Sequence, residues 1–212
     1  MSWMDAPRTV RMHCQEVVMA AAALVGLGSG ALHSVTGPDH VLSLTPLSLT
    51  AGSRSWRLGL RWGIGHSLGT IVVAVAASML VQVFHLGELI TWGERLGGLA
   101  LVFTGVMGLL SLRRGVVARE HCEGTALSMG LVHGIAGGAA VLVMLPAVAP
   151  STWHAAAYLS GFSLGSTVAM AALTRVLGRG GALVNLNRAW LGRIVVGASV
   201  ASVLLGTVWL TA

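Results

Sequence analysis

Lysine is absent from this 212-residue chain, and charge of either sign is scarce: thirteen arginines and seven acids make up 9% of it. Soluble domains carry about 25% charged residues. With 55% hydrophobic residues and a mean hydropathy of +0.81, the shortage excludes an ordinary soluble domain and indicates an integral membrane protein. The net charge of +6 does not argue for nucleic acid as a partner, because the arginines stand at the ends of apolar runs, where they set topology. Cysteine is nearly absent too. Cys14 and Cys122 both lie in polar flanks, which excludes a disulfide framework, and neither stands in a Cys-x-x-Cys or Cys-Pro context.

What is present is long apolar runs. About 20 such residues cross a bilayer as a helix, and six runs qualify: 17–36 with a second piece at 41–51, then 58–84, 89–112, 125–149, 153–177 and 190–210. The apolar run after the N-terminal tail 1–16 is too long for the core of a signal peptide. A polar loop at 113–124 separates residues 17–112 from residues 125–212. Arg54, Arg57 and Arg61, then Arg113, Arg114 and Arg119, then Arg175, Arg179, Arg188 and Arg193 all fall on one side of the expected membrane. Arg8, Arg11 and Arg95 fall on the other. The positive-inside rule then puts both termini outside and the 113–124 loop in the cytoplasm.

The two halves resemble each other. Gly30-Ala31-Leu32-His33 lines up with Gly130-Leu131-Val132-His133 at an offset of 100, which Pro46 and Pro146 keep. His66-Ser67-Leu68-Gly69-Thr70 matches Phe162-Ser163-Leu164-Gly165-Ser166 at 96, and Gly93-Glu94-Arg95 matches Leu191-Gly192-Arg193 in part at 98. Each half holds three spans, so the second copy enters from the opposite face. The expected fold is therefore an all-α polytopic membrane protein of six transmembrane helices in two inverted three-helix repeats. Secondary transporters share this plan, with the substrate site near the midplane at the repeat interface.

Ionisable groups in hydrocarbon cost roughly 2.5–3.5 kcal/mol on insertion scales and usually have a task there. His33-Ser34-Val35-Thr36-Gly37-Pro38-Asp39-His40 places two imidazoles and a carboxylate at the end of the first run. These groups are ligands for a divalent transition metal. Seven positions bring His33 and His40 to one helix face, but they rise about 10.5 Å, far beyond metal–nitrogen bonds of about 2.0–2.1 Å. Gly37-Pro38 should break the first helix, because proline lacks a donor and clashes with the carbonyl of Ser34. The break would draw His33, Asp39 and His40 together. Asp39 could also cap a short helix beginning at His40 while orienting a histidine. His66, among glycines that permit close helix approach, is a further ligand candidate, and His133 is the counterpart of His33 in the second half. A lone membrane histidine often only hydrogen-bonds across helices, and that reading stands beside the metal reading for His66 and His133. His85 and His154 lie at run ends and read as interfacial. His13-Cys14 and His121-Cys122-Glu123 are weak metal-capture sites, and the methionines read as packing.

These segments resemble the nickel/cobalt transporter superfamily, in particular its NicO-like, urease-accessory UreH-like six-span branch. The carrying residues are the His-x(5)-Asp-His of residues 33–40, the run 56–67 ending in Gly65-His66-Ser67, His133-Gly134-Ile135-Ala136-Gly137, and Tyr158-Leu159-Ser160-Gly161-Phe162-Ser163-Leu164-Gly165. Larger permeases of the superfamily carry His-x(4)-Asp-His, one residue shorter, and many relatives carry a His-rich loop where this chain has only His121. The resemblance implies transport of Ni²⁺ or Co²⁺ as substrate across the plasma membrane, with His33, Asp39 and His40 as signature residues. No resident cofactor and no enzymatic step are expected, and a homo-oligomer is compatible with the pattern. Two other readings remain: a membrane thiol-redox carrier using Cys14 and Cys122, and a non-transporting membrane accessory factor for metalloenzyme assembly.

Overall fold

Helices follow the apolar runs throughout. The computed structural model describes residues 7–80, 86–113, 122–148, 151–183 and 188–211. Its elements are α1 (Arg8–Thr36), α2 (Pro38–Ala51), a 3-10 turn at Gly52–Arg54, α3 (Ser55–Leu80), α4 (Leu86–Arg113), α5 (Cys122–Val148), α6 (Thr152–Leu183) and α7 (Arg188–Thr211). Four stretches among the described residues are long and apolar enough to cross a membrane: Met12–Thr36, Gly52–Ala76, Thr152–Gly180 and Gly192–Thr211. The α4 and α5 helices, of 28 and 27 residues, match them in length. The polar loop of the sequence reading, apart from its end residues, lies outside the described residues, as do His85 and His121.

The first helix begins at Arg8, ahead of the expected start at residue 17, because nothing between Pro7 and the apolar run interrupts it. It ends where the sequence places the break. Gly37 is extended, with φ −66° and ψ 112°, and Pro38 opens α2 in its first turn. Proline suits that position because the amide it lacks has no intrahelical acceptor there. Gly37 N–H donates to the His33 carbonyl at 2.9 Å, and Val41 N–H to the Gly37 carbonyl at 3.2 Å, so the chain turns with few lost bonds. With 14 residues α2 is about 21 Å long, too short to cross about 30 Å of hydrocarbon.

The interior is unusually polar and the exterior apolar. Ser34, Ser48, Ser55, Thr70, Ser166, Thr174, Ser199 and Ser202 are buried, whereas Leu24, Leu32, Val72, Phe103, Val168 and Leu204 are exposed. A lipid solvent explains this inversion: association in hydrocarbon relies on close packing and interhelical hydrogen bonds rather than on apolar burial. Ser34 and Ser166 hydroxyls meet at 2.7 Å between α1 and α6, and the Ser55 hydroxyl donates to the Thr174 carbonyl at 2.7 Å.

Close packing comes from four glycine pairs, each four residues apart. Gly26 and Gly30 on α1 lie against the carbonyls of Tyr158 and Phe162, while Gly161 and Gly165 on α6 lie against those of Ala23 and Leu27. Gly130 and Gly134 on α5 lie against the carbonyls of Trp62 and His66, and Gly65 and Gly69 on α3 against those of Leu127 and Leu131. A Cβ at any of these eight glycines would collide with the opposing backbone. The most extensive contacts thus join α1 to α6 and α3 to α5, with α4 on α7 and α3 on α6 completing the bundle.

Candidate metal centre

The helix break and the glycine contacts bring all five candidate residues together. His33 lies in the last turn of α1, and Asp39 and His40 lie in the first turn of α2. His66 lies on α3 and His133 on α5, held side by side by the fit of Gly134 on the His66 backbone. Thr70 donates to the His66 carbonyl at 2.9 Å and steadies that turn. Asp39, His40, His66 and His133 are all buried, and His33 is half-buried.

Four imidazoles pack ring against ring. Ring centroids are 4.7 Å apart for His33 and His40, 5.0 Å for His40 and His66, 4.8 Å for His40 and His133, and 5.7 Å for His33 and His66. His133 Nε2 lies 2.6 Å from Asp39 Oδ2, a hydrogen bond at the short end of the range. An ionised carboxylate only accepts, so Nε2 then donates and the lone pair of His133 sits on Nδ1. His40 Nδ1 lies 3.2 Å from Asp39 Oδ1 without the alignment of a hydrogen bond.

Asp39 therefore does not cap α2. The helix starts at Pro38, not at His40, and has no side-chain cap bond, because the carboxylate turns to the imidazoles instead. His133, an echo of His33 in the sequence reading, is the direct partner of the carboxylate. Nothing in its spacing announced this, since 94 residues separate the two.

Six ring nitrogens are buried and without a hydrogen-bond partner among the described residues: His33 Nε2, both nitrogens of His40, both of His66, and His133 Nδ1. Each orphaned polar atom costs about 1–3 kcal/mol. A cation with several coordination positions would satisfy many at once. The donors form two sets whose ligand atoms lie within 4.8 Å of one another: His33, His40 and His66, and Asp39, His40 and His133. Ligands on one ion with bonds of about 2.1 Å stand about 3 to 4.2 Å apart, so each set would have to contract around an ion.

Sequence reasoning missed the walls and the floor of the centre. Buried Phe162 lies 5.6 Å from the His33 ring, and buried Trp62 lies 5.8 Å from that of His133. Gly37 is more than a breaker. A Cβ there would strike His40 Nδ1, Asp39 Oδ1 and the His33 carbonyl, so its missing side chain is the space the ligands occupy. Among the other candidates, His13 is exposed and stands 3.8 Å from Glu16, His154 bonds Ser151, and Cys14 is a free thiol, all away from the centre.

No protein-family model matches the chain, and no solved structure matches it. Among curated proteins it is 33% identical over 181 residues to chloroplast protein FOR GROWTH AND FERTILITY 1 of Arabidopsis thaliana, covering 74% of this chain and 49% of that one. It is 33% identical over 175 residues to FOR GROWTH AND FERTILITY 2 of the same plant, covering 74% and 47%. The chain spans about half the length of these two relatives. It is 24% identical over 185 residues to the urease accessory protein UreH of Bacillus sp. (strain TB-90), covering 77% of this chain and 78% of UreH. The chain is thus a distant homologue of UreH and an all-helical, multi-pass membrane protein.

Proposed function

We propose that this protein is a six-span secondary permease that moves a divalent transition metal, Ni²⁺ or Co²⁺, across the plasma membrane through His33, Asp39, His40, His66 and His133. The observation that carries the reading is the convergence of four imidazoles and one carboxylate, from four helices, around a helix broken inside a bilayer-length bundle. Imidazole and carboxylate suit borderline divalent ions. Distant homology to a urease accessory protein supports a nickel-related role.

An inverted repeat underlies the permease. The glycine contacts support it, because exchanging the halves turns the α1–α6 packing into the α5–α3 packing. In that exchange Gly26 answers to Gly130 and Gly30 to Gly134, 104 positions apart, while Gly65 and Gly69 answer to Gly161 and Gly165, 96 apart. The first helices therefore register one turn beyond the offset of 100 read from sequence. Gly137 then answers to His33, and Phe162 to His66, so one half carries the imidazoles and the other carries filler. Trp92 with Arg95 and Trp190 with Arg193 repeat at 98, each guanidinium within 5.6 Å of its indole centroid. Such pairs suit the two membrane–water interfaces. The arginine distribution is what supports termini that both lie outside.

In the permease a hydrated ion exchanges water for imidazole and carboxylate, and rocking of one half on the other opens the second face. The test is metal influx into liposomes loaded with a metal-sensitive dye. His33→Ala, Asp39→Ala and His40→Ala should each lower influx at least tenfold, and wild-type influx in all three sinks the reading. The name of UreH favours a second reading, a membrane accessory factor that binds metal without moving it. Metal binding by the pure protein with no influx would select that one.

A further inference from the structure

We propose that the centre holds its ion at two successive positions that share His40 as a common ligand, the first with His33 and His66, the second with Asp39 and His133. The inference rests on the metal-permease reading and adds the path within its site.

The five donors do not converge on one point. They divide into two triads, and His40 alone belongs to both. Its ring is within 5.0 Å of the other three, 4.7 Å from His33, 4.8 Å from His133 and 5.0 Å from His66. Both of its nitrogens are buried and lack a hydrogen-bond partner among the described residues, and whichever of the two carries no proton is the one that can bind the ion. The positions differ in charge. The first offers three neutral imidazoles. The second adds the carboxylate; for the ion to take the place of the His133 Nε2–H···Asp39 bond, the imidazole must carry its proton on Nδ1 instead.

This arrangement answers the requirement that an ion bind well enough to enter and weakly enough to leave. One imidazole stays within reach as the ion passes between triads, so the ion never loses all its protein ligands. His33 and His66 lie on α1 and α3, whereas Asp39 and His133 lie on α2 and α5. Rocking of one half on the other would move His133 against the four ligands of the first half and so tune the second set without disturbing the first.

The experiment uses the full chain in detergent with Co²⁺ as probe, reading affinity by calorimetry and ligand type by the visible Co²⁺ absorption. His66→Ala should keep one Co²⁺ at the carboxylate position and His133→Ala one at the imidazole position, with different spectra. His40→Ala, and His66→Ala with His133→Ala together, should lose binding. In liposomes both single variants should pass Co²⁺ at least tenfold more slowly than wild type despite binding it. Asn in place of Ala serves where the Ala variant fails to elute as a single helical species. If either single variant, folded, loses Co²⁺ as completely as His40→Ala, or if both bind with the wild-type spectrum, the two-position path is wrong. Failure of the wild-type chain to bind Co²⁺ would instead overturn the permease reading itself.

Discussion

Gly37→Ala separates the site from the scaffold. The backbone at Gly37, with φ −66° and ψ 112°, is open to any residue and suits one that precedes proline. Replacing glycine at a compatible position stabilises by about 0.4–1 kcal/mol through the unfolded chain. The methyl, however, would stand 2.7 Å from Asp39 Oδ1, 2.9 Å from the His33 carbonyl and closer still to His40 Nδ1, where ordinary contact begins at 3.4 Å. Such overpacking costs about 1–3 kcal/mol, so the net change runs from about zero to a loss of about 2–3 kcal/mol, which a folded bundle can absorb. The ligands must still retreat by several tenths of an ångström, more than the roughly 0.2 Å that metal–ligand distances tolerate. Loss of outer support alone weakens metal sites about 10–100-fold, or about 1.4–2.7 kcal/mol. We expect Gly37→Ala to elute as a single folded species in detergent, melting at or up to roughly 10 °C below wild type, while binding Co²⁺ at least tenfold more weakly by calorimetry. Unchanged affinity in a folded Gly37→Ala protein refutes the argument that position 37 is ligand space.

Gly134→Ala pushes a methyl into the His66 carbonyl and should destabilise by about 1–3 kcal/mol. Gly28→Ala meets nothing and should be neutral or gain up to about 1 kcal/mol; thermal melts of the pair check the close-packing argument. A Cys14→Ser/Cys122→Ser double variant should transport at the wild-type rate, and loss of transport would revive the thiol reading.

Much of this was legible in the chain. Scarce charge and long apolar runs dictate a helical bundle in lipid, because a backbone in hydrocarbon must satisfy its own hydrogen bonds. The break at Gly37-Pro38 follows from proline's missing donor, and α1 ends within a residue of it. The four glycine pairs were visible as letters, but which backbone each would meet was not. The start of α1 at Arg8 was misplaced because apolarity, not helix continuity, set the expected boundary.

Composition and local chemistry by themselves determined the class of molecule, the helices and the candidates His33, Asp39, His40, His66 and His133, since these depend on side-chain type and near neighbours. Tertiary structure alone decided that His133, 94 residues from Asp39, is the partner at 2.6 Å, and that the five donors sort into two triads. That choice depends on the register of α5 against α3, which the fit of Gly130 and Gly134 on the backbone of Trp62 and His66 sets. A slide of one turn, about 5.4 Å, would carry His133 out of reach of the carboxylate.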